Sequence, residues 1–395
     1  MWYNHEVGGL TVVSRLPLTS FGRGKRQANL MRQRIGRRAV VTMAAAFVMP
    51  LLGGCGGGGG SDVPAPMVLS AFVADAGGRI SHYTVSPSTG AFSAVAESPL
   101  GTGGNTSGLA VSPDGRFAYA TNGDANTISE YRVNPATGAF TANGSITAPG
   151  TAAAGQTGPM GLPGLFGITV SPSGNFAYAV AAYADTASAY TINAATGALT
   201  AVSGGVVSSG HLPVAFALSP DGRFAYVTNS SDRTVSRYTV DASRGTLAPA
   251  GVSPISVGDA PSDFPSAIAL SPNGRFAYVT YQPPLVTSGG LRRAIRKASP
   301  RTLGPAAEPT AGAIVEYAVD ASTGALTAVR SLSSVDAWAG AITFSPSGGF
   351  AYVANYDSIS EYTVNRSTGA LTLMPQNVLS GMPGPMGIVF ATIPS

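Results

Sequence analysis

The chain is poor in cysteine, histidine, lysine and charge of either sign. Its 395 residues include one cysteine and three histidines, Lys25 and Lys297 are the only lysines, and charged residues make up 11%. With no second cysteine, the chain cannot form an internal disulfide. With so few cations, it offers no basic face of the kind that binds nucleic acid, so we expect no nucleic-acid partner.

The basic residues are concentrated at the start of the chain. The whole sequence has 23 Lys and Arg against 19 Asp and Glu, and residues 1–54 hold eight of the basic residues and one of the acidic ones. The rest therefore has 15 basic against 18 acidic residues, a net charge of −3. Low charge with 51 glycines and many Ser and Thr residues is typical of a secreted, turn-rich β protein.

No apolar run is long enough for a mature membrane-spanning helix. The best candidate, residues 43–52, is too short to span a bilayer and follows four arginines between residues 32 and 38. This pattern indicates a secretion signal, so we interpret residues 1–54 as a leader, with Met31 as the expected true start. The adjacent arginines at 37–38 leave twin-arginine export as an alternative.

The lone cysteine follows the signal directly. Leu52-Gly53-Gly54-Cys55 resembles the lipobox of bacterial lipoproteins, and residues 55–66 form a Gly-rich tether. We therefore expect lipidation of Cys55 and an exported protein whose membrane partner is reached through its lipid anchor. In such lipoproteins an aspartate after the cysteine favours the inner membrane. Gly56 stands there, which favours the outer membrane, facing the periplasm or the cell surface.

A repeated unit fills the chain from about residue 71 to residue 390. In the copy at 218–247, Ser219-Pro220-Asp221-Gly222 predicts a turn, and strands are predicted at 224–227 and 234–240. The Ser-Pro turn recurs at 112–113, 171–172, 271–272 and 345–346, and Phe-Ala-Tyr recurs at 117–119, 176–178, 276–278 and 350–352. A period of about 50 residues with four antiparallel strands predicts an all-β β-propeller.

The two ends of the repeat array predict how the ring closes. Residues 71–73 enter directly as a second strand, and residues 387–390 form a first strand with nothing after it. We therefore expect the C-terminal strand to join the N-terminal blade, so that no sheet edge is left free. Six units are counted in the propeller domain, residues 67–395, with a seven-bladed ring as the alternative; an insertion lies at about 286–312.

Candidate site residues lie where the links between blades reach the innermost strands. One hypothesis is a ligand pocket in which His211 acts as a base, with Asp263 and Asp336 as carboxylate partners and with Asn105 and Trp338 binding ligand. The alternative is ordinary loop chemistry, with an exposed histidine, a turn-capping aspartate and a tryptophan packed between blades. We expect no metal and no cofactor.

Two further interpretations concern charged positions. Arg292 and Arg293 belong to a basic segment of the insertion, which is either a short amphipathic helix that binds anionic lipid or clamps an acidic ligand, or a solvated segment interrupted by prolines. One third-strand position varies so widely between copies that it is predicted to face solvent. Its six occupants are His82, Glu130, Ala189, Arg237, Glu316 and Glu361.

The strand and turn sequences resemble a known family. Residues 225–229, Ala-Tyr-Val-Thr-Asn, with near copies at 277–280 and 351–355, resemble lactonase-type and YVTN-repeat β-propellers. The resemblance implies a seven-bladed ring, and in some members hydrolysis of sugar lactones such as 6-phosphogluconolactone by histidine, arginine and acidic residues around the channel. This sequence departs from that pattern, since it has six units and its links between blades hold one histidine and no arginine.

Two functions follow from this resemblance. The sparse histidines and the exported address favour a monomeric binding module whose loop face holds a glycan, a lactone or an envelope protein. The alternative is a lactone hydrolase of the envelope that uses His211 and an aspartate to activate water.

Overall fold

The computed structural model describes residues 5–7, 10–12, 67–75, 77–95, 100–102, 106–149, 164–251, 255–256, 264–282, 312–333, 339–355, 357–374, 379–380 and 385–394. The chain divides into two units, Met1–Asp62 and Val63–Ser395. In the first unit, β1 (His5–Val7) pairs antiparallel with β2 (Leu10–Val12). All regular structure in these ranges is β, and no described helix is long and apolar enough to cross a membrane.

The second unit contains 27 described strands, β3 to β29, in six sheets. The chain enters blade 6 through β3 (Met67–Asp75), β4 (Arg79–Val85), β5 (Phe92–Ala94) and β6 (Leu100–Gly101). Blade 1 is built from β7 (Thr106–Val111), β8 (Phe117–Asn122), β9 (Thr127–Val133) and β10 (Phe140–Thr147). Blade 2 follows with β11 (Leu165–Val170), β12 (Phe176–Ala181), β13 (Thr186–Ile192) and β14 (Leu199–Ser208).

The remaining blades repeat this order. Blade 3 contains β15 (Pro213–Leu218), β16 (Phe224–Asn229), β17 (Thr234–Val240), β18 (Leu247–Pro249) and β19 (Ile255–Ser256). Blade 4 contains β20 (Phe264–Leu270), β21 (Phe276–Gln282), β22 (Ala313–Val319) and β23 (Leu326–Ser333). Blade 5 contains β24 (Ala341–Phe344), β25 (Phe350–Ala354), β26 (Ser358–Val364), β27 (Leu371–Leu373) and β28 (Leu379–Ser380), and β29 (Pro385–Pro394) returns to blade 6.

The sheets form a closed β-propeller of six four-stranded antiparallel blades within the described residues, which confirms the predicted fold class. In blades 3, 5 and 6 two short strands share the outermost position by pairing with the same third strand. The first strands contact one another in the cyclic order β7, β11, β15, β20, β24, β29 and back to β7. These six strands therefore surround the axis of the ring.

The closure of the ring is as the sequence predicts. Strand β29 pairs antiparallel with β3 along its length, with Ile388 opposite Val73 and Pro394 opposite Met67. The C-terminal strand thus supplies the first strand of blade 6, so the two ends of the propeller belong to one sheet. Strand β29 is therefore the innermost strand of blade 6, and it pairs with the edge of β3 that would otherwise be free, as the first strands do in the other blades.

In five blades the second strand carries the Phe-Ala-Tyr sequence, in which large and small side chains alternate. In β8, β12 and β16 all six residues are buried. Successive side chains of a strand point to opposite faces, so the Phe and Tyr side chains face one neighbouring blade and the alanines face the other. Tight packing of both faces follows from this alternation.

Tyrosines of the second strands bind across the blade junctions. The hydroxyl of Tyr226 in blade 3 donates a hydrogen bond of 2.8 Å to the carbonyl of Gly324, in the Thr-Gly turn of blade 4. Equivalent bonds of 2.6–3.0 Å join Tyr119 to Gly197, Tyr278 to Gly369 and Tyr352 to Gly90. Tyr178 occupies the same position in blade 2 and stacks on Phe216, with ring centroids 5.1 Å apart. Its buried hydroxyl has no hydrogen-bond partner.

The turn glycines are required where these turns pack on the preceding blade. Gly197 has a φ of +78°, and a Cβ atom there would overlap the ring of Phe117. A side chain at this position would therefore meet both the backbone cost of the left-handed region and a steric clash.

The prediction that the variable third-strand position faces solvent is wrong. Glu130, Glu316 and Glu361 are 5%, 0% and 1% exposed, Ala189 is 1% exposed, and Arg237 is 7% exposed. The register explains this, because in five blades the position lies directly opposite the second-strand aromatic residue described above. Directly paired residues share a face of the sheet, so both point into the junction with the next blade.

Three charged occupants of this position have different partners. Glu130 accepts a 2.9 Å hydrogen bond from the backbone N–H of Leu199 in blade 2. Glu316 lies 3.0 Å from Nε of Arg330, and Arg237 donates to the carbonyl of Ala250 at 2.9 Å. The residue type at this position therefore varies with the hydrogen-bond or ion-pair partner that each blade provides, although the position is buried in these blades.

The Ser-Pro turns lie on the opposite face from the loops that join second and third strands. The glycine of each turn faces the proline of the turn in the preceding blade, as with Gly174 and Pro113, Gly222 and Pro172, Gly274 and Pro220, and Gly348 and Pro272. In blade 1 the corresponding Gly115 faces Thr392 of β29 instead. These contacts join neighbouring blades through small, neutral residues at five junctions of the Ser-Pro face.

Candidate functional site

The link between blades 2 and 3 is bound by side chains from two turns of the loop face and from the last residue of β16. The backbone N–H groups of residues 210, 211 and 212 donate in order to Oδ1 of Asn229 at 3.1 Å, Oδ2 of Asp232 at 2.7 Å and Oδ1 of Asp185 at 3.0 Å. Asp232 belongs to the turn between β16 and β17, and Asp185 to the turn between β12 and β13. Both blades therefore hold this link.

His211 carries the chemistry of this link. Its Nδ1 lies 2.7 Å from Oδ2 of Asp185, and its side chain is 73% exposed. The hydrogen bond to Asp185, with the negative charges of Asp185 and Asp232, raises the pKa of His211 above its ordinary value. When Nδ1 donates to the carboxylate, Nε2 of the neutral ring is left as a proton acceptor that faces solvent.

The backbone on both sides of this contact is left-handed. Asp185 has a φ of 52° and Leu212 a φ of 55°. Aspartate tolerates this region, whereas a bulky residue such as leucine is destabilised there by about 1–2 kcal/mol. The hydrogen bond that Asp185 accepts from the N–H of Leu212 therefore offsets a local strain next to His211.

An arginine in the adjacent turn was not anticipated from the sequence. Arg233 follows Asp232, and its guanidinium carbon lies 5.3 Å from the ring centroid of Phe264, at the start of β20. Its Nε is buried and has no hydrogen-bond partner. Sequence reasoning looked for arginines in the links between blades, whereas this one lies in a turn between second and third strands. The sequence feature that could have identified Arg233 is its position between Asp232 and the first residue of β17.

Asp185 and Arg233 occupy equivalent positions in their blades. Asn126, Asp185 and Arg233 all have φ values of 52–56° and directly precede a third strand. Asp185 and Arg233 each contact the approach to the next inner strand, through Leu212 and Phe264 respectively. The same left-handed backbone position therefore holds a carboxylate at the junction of blades 2 and 3 and a guanidinium at the junction of blades 3 and 4.

The other predicted site residues lie outside the described residues. These are Asp263, Asp336, Asn105, Trp338, Arg292, Arg293 and the proposed lipidation site Cys55. The pairing of His211 with Asp263 and Asp336 therefore stays a prediction. In the described part of the chain, the carboxylates that contact His211 are Asp185 through the ring and Asp232 through the backbone.

The described residues support acid–base chemistry at this site. No group of three or more His, Cys, Asp or Glu residues in the described ranges is arranged to hold a metal ion. What the loop face presents at this link is an exposed imidazole that Asp185 orients, with Asp232 bound to the backbone N–H of the same residue. A histidine oriented by a carboxylate can activate water as a general base.

Comparison with protein families finds one match. A family model described as "Lactonase, 7-bladed beta-propeller" matches residues 70–261 and 168–390. The six blades of the described residues are one fewer than that description. A search of the curated proteins finds no match.

Solved structures show the same fold. A proposed 6-phosphogluconolactonase from Bacteroides uniformis is 17% identical, with a TM-score of 0.58, and the match covers 82% of this chain and 99% of that one. A second one, from Bacteroides fragilis, is 17% identical, with a TM-score of 0.58 and coverage of 85% and 100%. The periplasmic gluconolactonase PpgL of Pseudomonas aeruginosa is 18% identical, with a TM-score of 0.52 and coverage of 83% and 99%. At these identities the likeness shows the fold alone.

Proposed function

The chain belongs to the lactonase family of β-propellers, and from this premise we propose that it is an exported lactone hydrolase whose reaction takes place on the loop face at His211. The observation that carries the proposal is the 2.7 Å contact between Nδ1 of His211 and Asp185, which leaves Nε2 directed to solvent. The sequence alone favoured a binding module because its histidines are few. One histidine is enough when a carboxylate orients it.

The proposed reaction is attack of water on the ester carbonyl of the lactone. Nε2 of neutral His211 takes a proton from the water, and Asp185 stabilises the imidazolium that forms. Opening of the ring then gives a hydroxy acid, with the proton returned from His211 to the leaving oxygen.

The proposed substrate is a sugar lactone without a phosphate group. A sugar-phosphate lactone belongs in the cytoplasm, whereas the leader and Cys55 indicate export. The Pseudomonas protein of the same fold is named as a periplasmic gluconolactonase, which supports a neutral aldonolactone as the first compound to test.

The test is hydrolysis of glucono-1,5-lactone by the purified protein, corrected for spontaneous hydrolysis. His211→Ala is expected to lower kcat by about 10²- to 10⁴-fold, the usual contribution of a general base. Asp357→Ala changes an exposed turn residue of blade 5 and is expected to leave kcat unchanged. Wild-type turnover no faster than buffer would rule out this reaction for this substrate.

The pH dependence gives a second test. His211 acts as a base only when neutral, and its pKa is raised by Asp185. Activity is therefore expected to fall as the pH falls through that raised pKa. Asp185→Asn removes the charge and is expected to move this limb of the profile to lower pH, with a lower plateau because the ring is less well oriented. An unchanged limb would mean that His211 is not the titrating base.

A binding module without chemistry is the second candidate. The 73% exposure of the His211 side chain favours it, because an exposed ring is suited to contact with a glycan or a partner protein. Binding to a glycan array that is lost in His211→Ala, together with no lactone turnover in the wild type, would support this function. Deletion of residues 286–312 would test whether the basic insertion contributes to binding.

We also propose that Cys55 carries the lipid anchor, on the strength of the lipobox-like sequence before it. Cys55→Ser is expected to abolish incorporation of labelled fatty acid and to release the protein into the soluble fraction. Retention of the label in this variant would contradict the assignment.

A further inference from the structure

We infer that Asp232 and Asn229 are positioning residues for His211, holding the link 210–212 so that the imidazole is presented in one orientation. The inference deepens the proposed function, since it concerns the same site. It rests on the three consecutive N–H groups of the link, each of which has its own side-chain acceptor.

Asn229 is a rigid acceptor. Its side chain is fully buried, and its Nδ2 donates to the hydroxyls of Thr234 and Ser236, both at 2.9 Å. These two bonds orient the amide plane, so Oδ1 is directed at the N–H of Gly210. A buried acceptor whose orientation is already determined holds the backbone without loss of further side-chain freedom.

The same asparagine arrangement recurs where the chain has no histidine. In blade 1, Nδ2 of Asn122 donates to two hydroxyls at 3.1 and 2.7 Å, and in blade 5, Nδ2 of Asn355 does so at 3.1 and 2.8 Å. In both cases the buried Oδ1 has no hydrogen-bond partner. Of these three described asparagines, Asn229 is therefore the one whose Oδ1 accepts a hydrogen bond, and it lies at the junction that carries His211.

Asp232 holds His211 itself. Its Oδ2 accepts from the backbone N–H of His211 at 2.7 Å, while Asp185 holds the ring and the next N–H. The backbone and the side chain of His211 are thus fixed by carboxylates from two different blades. Removal of Asp232 would leave the ring contact but free the backbone N–H of His211, so residue 211 would keep one backbone hydrogen bond, the 3.3 Å bond that its carbonyl accepts from Ser231.

Two variants of Asp232 separate position from charge. Asp232→Asn removes the charge but keeps a side-chain oxygen for the His211 N–H, whereas Asp232→Ala removes both. Each variant is expected to lower the pKa of His211, measured by NMR titration of the ring, to a similar extent. Only Asp232→Ala is expected to speed amide hydrogen exchange at residues 211 and 212, and to lower kcat by about ten- to a hundredfold with little change in KM.

The full-length protein and the Asp357→Ala variant serve as references for exchange and stability. Faster exchange in Asp232→Ala and near wild-type exchange in Asp232→Asn would support the inference. Equal exchange in both variants, whether slow or fast, would overturn it. If the wild type has no lactone turnover, the proposed reaction fails, but the exchange rates still decide whether Asp232 positions His211.

Discussion

The tyrosine bonds between blades offer a paired test of what holds the ring together. Tyr226 and Tyr178 occupy equivalent positions in neighbouring blades, and both are fully buried. The hydroxyl of Tyr226 donates to the carbonyl of Gly324, whereas that of Tyr178 has no partner. Burial raises the pKa of both residues to about 12, so both are neutral near pH 7. Substitution by phenylalanine therefore removes a hydrogen-bonded hydroxyl at Tyr226 and a buried hydroxyl without a partner at Tyr178.

The two substitutions are expected to change the free energy of unfolding in different directions. Tyr226→Phe loses a hydrogen bond with a net contribution of about 0.5–1.5 kcal/mol and leaves a buried carbonyl with one acceptor site unused, at a cost of about 1–3 kcal/mol. We therefore expect it to lower the free energy of unfolding by about 1–3 kcal/mol. Tyr178→Phe removes a buried hydroxyl that has no partner, so it is expected to be neutral or to stabilise the fold by up to about 1–2 kcal/mol.

Urea unfolding of both variants, followed by fluorescence and circular dichroism, measures this difference. A shift of the midpoint with an unchanged m-value would show that stability has changed while the surface exposed on unfolding has not. We expect the midpoint of Tyr226→Phe to lie below that of Tyr178→Phe, with the wild type between them or level with the latter. Equal destabilisation in both variants would refute the argument, because the bond to the turn carbonyl would then contribute nothing measurable.

Two further predictions concern the same junctions. Burial raises the pKa of Glu130 above its ordinary value of 4.5, because it disfavours the charged carboxylate. The free energy of unfolding is therefore highest below the unfolded pKa, where Glu130 is protonated in both states, and it decreases as the pH rises through the folded pKa. Glu130→Gln, which keeps an acceptor for Leu199, should melt at a higher temperature than the wild type at pH 7 and at a similar one below about pH 4.5; a constant difference between pH 4 and 7 would contradict this. Gly197→Ala should destabilise by about 2–5 kcal/mol through its left-handed backbone and overlap with Phe117, whereas Gly204→Ala, with the same backbone hand and open space around it, should cost about 1–2 kcal/mol. Equal melting temperatures for the two alanine variants would exclude the packing effect.

The sequence predicted the fold well because its repeats encode local structure. The turn at 219–222 and the strands that became β16 (Phe224–Asn229) and β17 (Thr234–Val240) follow from proline, glycine and alternating side chains. Ring closure followed from the order of strands at the two ends and is confirmed by the pairing of Ile388 with Val73. Each of these features depends on residues close in sequence or on the simple order of the repeats.

The sequence misled where contacts join different blades. Variation at the position of Glu130 looked like exposure, because the partner of Glu130 lies in the next blade and that of Glu316 lies beside a register shift in its own outer strand. His211 lies on the loop face, and its partner Asp185 lies 26 residues before it in another blade. No spacing rule points to that aspartate, since its reach depends on a left-handed backbone at the end of a turn.

The direction of β3 has a consequence for the side from which the site is reached. Strand β3 begins at Met67 beside the end of β29, at the Ser-Pro face, and runs to Asp75 at the opposite rim. The chain therefore enters the propeller at the Ser-Pro face, whereas His211 lies on the opposite, loop face. Because the His211 side chain is 73% exposed on that face, a solute reaches the imidazole from the side of the ring where the chain does not enter.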